Sequence, residues 1–319
     1  MNGIMIDARD RQALDVAKLY YNSHLPQAEV AQCLGISRPT VSKLLQHAHD
    51  QGFVVISIND PRERSDELVR ELKERFALAD ARVVTTPRGG NLMQDLGAAG
   101  AALLEEIVHD GSSVGVSWGQ TMSAVAEHLR QLPLEGVKVV QLKGGHSHTQ
   151  RSTKDFATLQ GFARAFNAET FMLPLPVIFD SAETKQWVEK DRHIAHIVEM
   201  GSHVDVAVFT VGAAARESLA LNLGYLSEEE TQLILERAVG DVCSRFFDAE
   251  GRVAVPEVDA RTVSITFDAL AARPARVLVA GGAEKADAIR VVLEQGLATH
   301  LVIDHNTAQR VLAGEWAVS

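Results

Sequence analysis

From about residue 80 onward, apolar runs of strand length alternate with amphipathic helical stretches, and this alternation restricts the fold more than any other feature. Ala81–Thr85, Ser113–Ser117, Val137–Leu142, Val204–Val211, Asp241–Phe247, Arg276–Ala280 and His300–Asp304 read as strands. Leu92–His109, Thr121–Leu132, Ser227–Arg237 and Ala286–Gln295 read as helices between them. A strand that is apolar along its whole length needs cover on both faces, and alternating helices supply it over a parallel sheet. The predicted class is therefore α/β, with a Rossmann-like, doubly wound domain. A (β/α)₈ barrel is the competitor, but the runs fall one short of its eight strands.

Ahead of the alternation the pattern is helical, and the seam falls near Asn59–Asp60–Pro61–Arg62. The expected domains are 1–60 and 61–319. Glu63–Phe76 is predicted to be a helix whose Leu68, Val69, Leu72 and Phe76 share one face, joining the two parts and packing on the second.

In the first part, residues 27–48 read QAEVAQCLGISRPTVSKLLQHA. Val30, Ala31 and Leu34 face one way on a helix, and Gly35 allows the chain to turn at positive φ. Ser37 can cap a second helix with Pro39 in its first turn, and Val41, Leu44 and Leu45 form that helix's apolar stripe. Small Ala31 lets the helices cross, Ile36 plugs the gap, and an earlier helix, Ala13–Tyr21, braces the pair. This is the helix-turn-helix pattern. Ser37, Arg38, Pro39, Thr40, Ser42, Lys43 and Gln46 are the expected DNA-facing residues, because hydroxyls, an amide and two cations suit phosphates and base edges. Cys33 reads as a small core residue, His47 and His49 as solvated, and Phe53–Ile58 as a following strand.

The formal charge of −11 argues against a protein that coats nucleic acid but leaves room for a specific reader, since only the docking face matters. Within the head, Arg9, Arg11, Lys18, Arg38 and Lys43 are opposed by Asp7, Asp10, Asp15, Glu29, Asp50 and Asp60. One head should bind operator DNA weakly, so a homodimer or homotetramer is expected. No run approaches the roughly 20 apolar residues that span a bilayer. The start has no charged-then-apolar leader, and the two cysteines, Cys33 and Cys243, lack metal-ligand spacing. A cytoplasmic protein with no membrane, cofactor or metal is expected.

In the second part, four turns should open on one sheet edge, where ligands of such sheets bind. They are Ser117–Thr121 (SWGQT), Lys143–Gly145, Thr210–Ala213 and Ala280–Lys285. The first joins a strand to a helix N-terminus through hydroxyls and a glycine, which suits an anion but equally suits an ordinary βα turn. Lys285 lies where a helix dipole disfavours a cation unless an anion is bound, though it could simply be solvated. Lys143 ends a buried strand, either as a snorkelling side chain or as a pocket lysine that meets a ligand.

SRPTVSKLL, SWGQT, VVQLKGG, GDVCSRFFD and AGGAEKADAI, in that order, resemble the SorC family of bacterial transcription regulators over nearly the whole chain. The resemblance implies a helix-turn-helix joined to a sugar-binding domain related to sugar-phosphate isomerases, acting as an oligomeric repressor that a phosphorylated sugar releases from its operator. A lysine in VQLKGG is similar to that of the deoxyribonucleoside (DeoR) regulators, implying deoxyribose 5-phosphate held on Lys143 as a Schiff base. A partly desolvated ammonium with a lowered pKa agrees with that chemistry. By the same resemblance, Gly144 and Gly145 belong to the effector site, Ser117, Gly119, Gln120 and Thr121 receive the phosphate, Lys285 adds charge, and Asp241 meets sugar hydroxyls. Asp248 and Gly251 read as a turn, and His146 and His148 as possible flanks of the pocket without a metal site. The alternative is a sugar-phosphate isomerase or aldolase with an accessory DNA-binding head. An enzyme has no need of SRPTVSKLL, so no enzymatic activity is expected.

Overall fold

The computed structural model describes residues 7–54, 61–87, 89–150 and 152–314, with side chains for all of these except 61–64. Its contacts divide the chain into two compact units, Met1–Pro61 and Arg62–Ser319.

In the first unit, helices Ala8–Ala17, Gln27–Leu34 and Arg38–Asp50 enclose a core of Ala13, Val16, Val30, Ala31, Val41, Leu44, Leu45 and Ala48. Gly35 makes the turn at φ +64°, and the Ser37 hydroxyl caps the third helix by accepting from the Thr40 amide at 3.3 Å. The predicted first helix, Ala13–Tyr21, starts earlier than expected and ends in a π-helical turn over Lys18–Asn22. Cys33 is exposed rather than part of the core, because the buried stripe of its helix runs through Val30 and Ala31. His47 is half-buried and paired with Asp10 (2.7 Å), which ties the third helix to the first; it is not simply solvated. The expected strand Phe53–Ile58 lies outside the described residues beyond Val54, whose amide and that of Phe53 both donate to the Ala48 carbonyl.

The second unit opens with helix Pro61–Phe76, which puts Leu72 and Phe76 into the body's core and packs Leu68 and Val69 against it. Among the described residues ten strands follow: β1 Asp80–Val84, β2 Ser113–Val116, β3 Lys138–Gln141, β4 Glu169–Phe171, β5 Val206–Phe209, β6 Val211–Ala213, β7 Gly240–Val242, β8 Arg245–Phe247, β9 Ala275–Val279 and β10 His300–Asp304. Seven form one parallel sheet in the order β1-β10-β9-β5-β2-β3-β4. The chain steps outward from β2 through β3 to β4, returns to lay β5 against the other side of β2, then steps outward through β9 and β10. That reversal makes an open, doubly wound sheet whose switch point lies between β2 and β5.

Side chains alternate across the sheet as the pleat requires. Val139, Val206, Val208, Val277, Val279 and Val302 join one core with helices Leu92–Ile107, Gln120–His128 and Asp155–Ala165. Val140, Ala207, Phe209, Leu278, Leu301 and Ile303 join the other with helices Arg192–Ser202, Ala286–Glu294 and His305–Ala313.

Two predicted strands break. Val204–Val211 divides after Phe209, so that β6 leaves the main sheet. Asp241–Phe247 folds into a hairpin, β7–β8, whose tight turn puts Cys243 at φ +52° and Ser244 at φ +67°. Left-handed values at both central positions match the twist of a two-residue hairpin, although glycine or asparagine ordinarily occupies them. β6, β7 and β8 form a separate antiparallel sheet. The seventh parallel strand is instead β4, a three-residue edge strand too short and too polar at its start to register as an apolar run.

Candidate functional site

A cavity of about 700 Å³ opens beyond the carboxyl ends of β2 and β5, at the switch point, and is of ligand-pocket size. Its wall takes Trp118, Gly119, Gln120 and Thr121 from the β2 turn, Lys143 from the end of β3, and Thr210–Ala213 from the β5–β6 junction. Asp241 enters from β7, and Glu284 and Lys285 from the turn after β9.

Lys143 is 6% exposed. Its backbone is clamped on both sides, with the Gly144 amide donating to the Val263 carbonyl (3.0 Å) and the Ile265 amide to the Leu142 carbonyl (2.9 Å). Nζ donates to the Ser244 hydroxyl at 3.2 Å and lies 3.6 Å from the centroid of the Trp118 ring. The indole N–H of Trp118 in turn donates to the Gly144 carbonyl at 2.8 Å. Burial pulls the Lys143 amine below the usual lysine range, opposed by the nearby Asp241 and Cys243. Burial also raises the Asp241 carboxyl, opposed by Lys143, the Ser244 amide (2.9 Å) and Lys285. Both groups are thus pushed toward their neutral forms. Burial takes the Cys243 thiol up to about 11, which leaves it inert at neutral pH.

The approach of Asp241 depends on Gly212, where a Cβ would fall 2.2 Å from its Oδ1. Gly119, at φ +134°, turns the chain from β2 into helix Gln120–His128, and a Cβ there would meet open space. The helices that begin at the cavity, Gln120–His128, Asp155–Ala165 and Ala286–Glu294, have no side-chain cap. Helices Leu92–Ile107, Glu228–Arg237 and His305–Ala313 are capped by Asn91, Ser227 and Asp304. Uncapped first-turn amides can take an anion, as those of Gln120–His128 could, whereas the Ala286 amide already donates to the Ala283 carbonyl of the preceding 3-10 turn. Lys285 is half-buried beside this turn, and burial lowers its amine, opposed by Glu284 and Asp241.

Not every expected residue reaches the cavity. Ser117 is buried beneath the wall with no hydrogen-bond partner for its hydroxyl. Gly144 and Gly145 also lie outside the lining; their missing Cβ atoms leave room for the Pro176 carbonyl and the Asp155 carboxylate. His146 and His148 do not line the cavity: the His146 carbonyl accepts from the Tyr225 hydroxyl, and the His148 ring packs at a tilt against that tyrosine's ring. Asp248 and Gly251 do form a turn, closed by the Gly251 amide on the Asp248 carbonyl. Among the described residues there is no cluster of metal-ligating side chains, and no helix is long and apolar enough to cross a membrane.

Sequence reasoning missed Trp118 and Ser244 as partners of the lysine, and Thr153, Lys154, Glu217 and Ser218 as lining residues. The Thr210 and Ser218 hydroxyls are buried there without protein partners. Trp118 stood inside the SWGQT turn and could have been found there; Ser244 was hidden in a run that reads as one strand, and the loop residues carry no pattern.

On the head, Ser37, Arg38, Pro39, Ser42, Lys43 and Gln46 are exposed on the third helix and its cap, with Thr40 half-buried. The Gln46 amide donates to Asp50 at 2.8 Å.

Residues 60–313 match the family described as "Putative sugar-binding domain", and residues 18–65 match the MarR family. The Deoxyribonucleoside regulator of Bacillus subtilis (strain 168) is 44% identical over 308 residues, covering 95% of this chain and 98% of that protein. The Sorbitol operon regulator of Klebsiella pneumoniae is 30% identical over 309 residues, with the same coverage. The crystal structure of full-length SorC from Klebsiella pneumoniae superposes with a TM-score of 0.72 at 28% identity, covering 95% of this chain and 98% of that one. Fold and relatives together define a DNA-binding transcriptional regulator with a sugar-binding domain. The chain belongs to the SorC family.

Proposed function

We propose that this regulator represses an operon for deoxyribonucleoside or related sugar catabolism and leaves its operator when deoxyribose 5-phosphate condenses with Lys143. The observation that carries the reading is a buried amine with a depressed pKa at the switch-point cavity, whose wall also takes the uncapped N-terminus of helix Gln120–His128. A neutral amine is the nucleophile that an open-chain aldehyde requires. The 44% identical relative is named for deoxyribonucleosides, which points to the same sugar.

In this reading the amides of Gly119, Gln120 and Thr121 take the phosphate, with Lys285 adding charge across the cavity. Asp241 meets the sugar hydroxyls, and Ser117, Gly144 and Gly145 shape the wall from behind. On the head, Arg38, Thr40, Ser42, Lys43 and Gln46 read DNA, with Ser37 and Pro39 setting the start of their helix. Residues 1–60 serve as the DNA-binding domain and 61–319 as the effector-binding and oligomerisation domain. The active form is a homodimer or homotetramer in the cytoplasm, binding a palindromic operator with half-sites about one helical turn, or multiples, apart. The effector must bind the operator-incompetent arrangement more tightly than the competent one, since equal affinity would shift nothing.

An operator-binding titration with and without deoxyribose 5-phosphate tests the reading. At least tenfold weaker operator binding with the sugar is expected, and unchanged or tighter binding contradicts it.

A further inference from the structure

Of the groups around Lys143, Trp118 has the least explained place. It is 3% exposed, its indole N–H is committed to the carbonyl of the residue after the lysine, and its ring face lies 3.6 Å from Nζ. The ring packs in a hydrophobic cluster with Val177, Ile178 and Leu221, which accounts for its burial but not for the face it turns to the amine. Here the hydrogen bond locks the ring plane against the strand that carries the lysine, so ring and amine are positioned as one unit.

We propose that Trp118 is a positioning residue for condensation at Lys143: its ring face holds Nζ in the cavity wall and favours the protonated over the neutral amine, against the effect of burial. This inference rests on the Schiff-base reading above.

The geometry limits the amine to few places. One N–H donates to Ser244, a second faces the indole, and the remaining direction is toward the cavity that Lys143 lines. In the reaction the lone pair of neutral Nζ forms the C–N bond to the aldehyde carbon. The aldehyde oxygen leaves as water with the two protons that the nitrogen gives up, so no further reactant is needed. Only the neutral amine can begin this step, and a π face favours the ammonium, so Trp118 sets the pH at which condensation starts. The charged or titratable groups acting on the amine are Asp241 and Cys243 from the β7–β8 hairpin; Lys285, from the turn after β9, acts on Asp241 and is itself opposed by Glu284. Among the described residues, Lys154 and Glu217 complete the ionisable groups of the cavity wall.

The test varies the electrons of the ring while keeping its volume. In a full-length Trp187→Phe, Trp316→Phe background, Trp118 alone is replaced by 5-fluoro- and then 5,6,7-trifluorotryptophan. The rate of borohydride-trapped adduct formation with deoxyribose 5-phosphate is followed against pH. The midpoint is expected to move to lower pH with each step, by about one pH unit for the trifluoro ring, a tenfold change in amine basicity. A Trp118→Phe variant, which keeps a ring but loses the N–H bond to Gly144, should also lower the plateau rate. Identical midpoints across the fluorinated series, with the adduct still formed, overturn the role of Trp118 and leave the Schiff base standing. No adduct in the unfluorinated protein overturns the Schiff-base reading and this inference with it.

Discussion

The head and the body place their functional groups oppositely. In the head, the candidate DNA-facing residues Arg38, Ser42, Lys43 and Gln46 are exposed, while the core beneath them is valine, alanine and leucine. Their chemistry adds little to the cost of folding. In the body, Lys143 and Asp241 are almost wholly buried, burial opposes the charge on each, and the turn between β7 and β8 holds two non-glycine residues at positive φ. Backbone in that region costs of order 1–3 kcal/mol per residue and persists only where the surroundings enforce it. A surface reader can thus be assembled on a small unit, whereas a buried amine needs a large, rigid one to hold it.

That contrast can be broken at several points. The largest effect is expected from Lys143→Ala, which should abolish the sugar's ability to weaken operator binding; the readout is the ratio of operator affinities with and without deoxyribose 5-phosphate. Next, Leu44→Ala and Leu301→Ala remove similar buried side chains from the two cores, at about 2–5 kcal/mol each. In the small head this should unfold the unit and eliminate operator binding while the body still forms its lysine adduct. In the body it should lower the main thermal transition, as calorimetry would report. Arg38→Ala and Lys43→Ala should each weaken operator binding by about 1–3 kcal/mol, and a reduced salt dependence would identify a phosphate contact. The condensation rate of the intact protein should reach half its plateau below pH 10.5, the ordinary lysine value, because burial releases the proton of Lys143 earlier. A stopped-flow pH profile checks this, and a midpoint at or above 10.5 would deny the amine its special environment. Smallest is Ser37→Ala, which removes one helix cap and should cost about 1 kcal/mol of head stability.

Legibility followed the same division. The head could be read because its evidence is local: Gly35 in the turn, Ser37 at the cap, and Val41, Leu44 and Leu45 on one helical face all fall within the eleven residues 35–45. In the body, the unbroken apolar runs through Val139–Val140 and Val277–Leu278 announced the parallel sheet, whereas the switch point emerged only with the strand order of the structure. The hairpin of Asp241–Phe247 did not, since its apolar run looks like one strand and only the left-handed Cys243 and Ser244 break it. For the same reason Ser244 could not be placed on Lys143 from sequence, 101 residues away. Cys33 and His47 failed through rotation, because a shift of one position on a helix exchanges a buried for an exposed site.

The central claim, that Lys143 is a ligand-binding nucleophile, is tested most directly by intact mass after borohydride reduction with and without deoxyribose 5-phosphate, followed by peptide mapping. A single stable adduct on the peptide containing Lys143, absent from Lys143→Ala, is the predicted result. An unmodified wild-type mass, or an adduct that persists in Lys143→Ala, would contradict it.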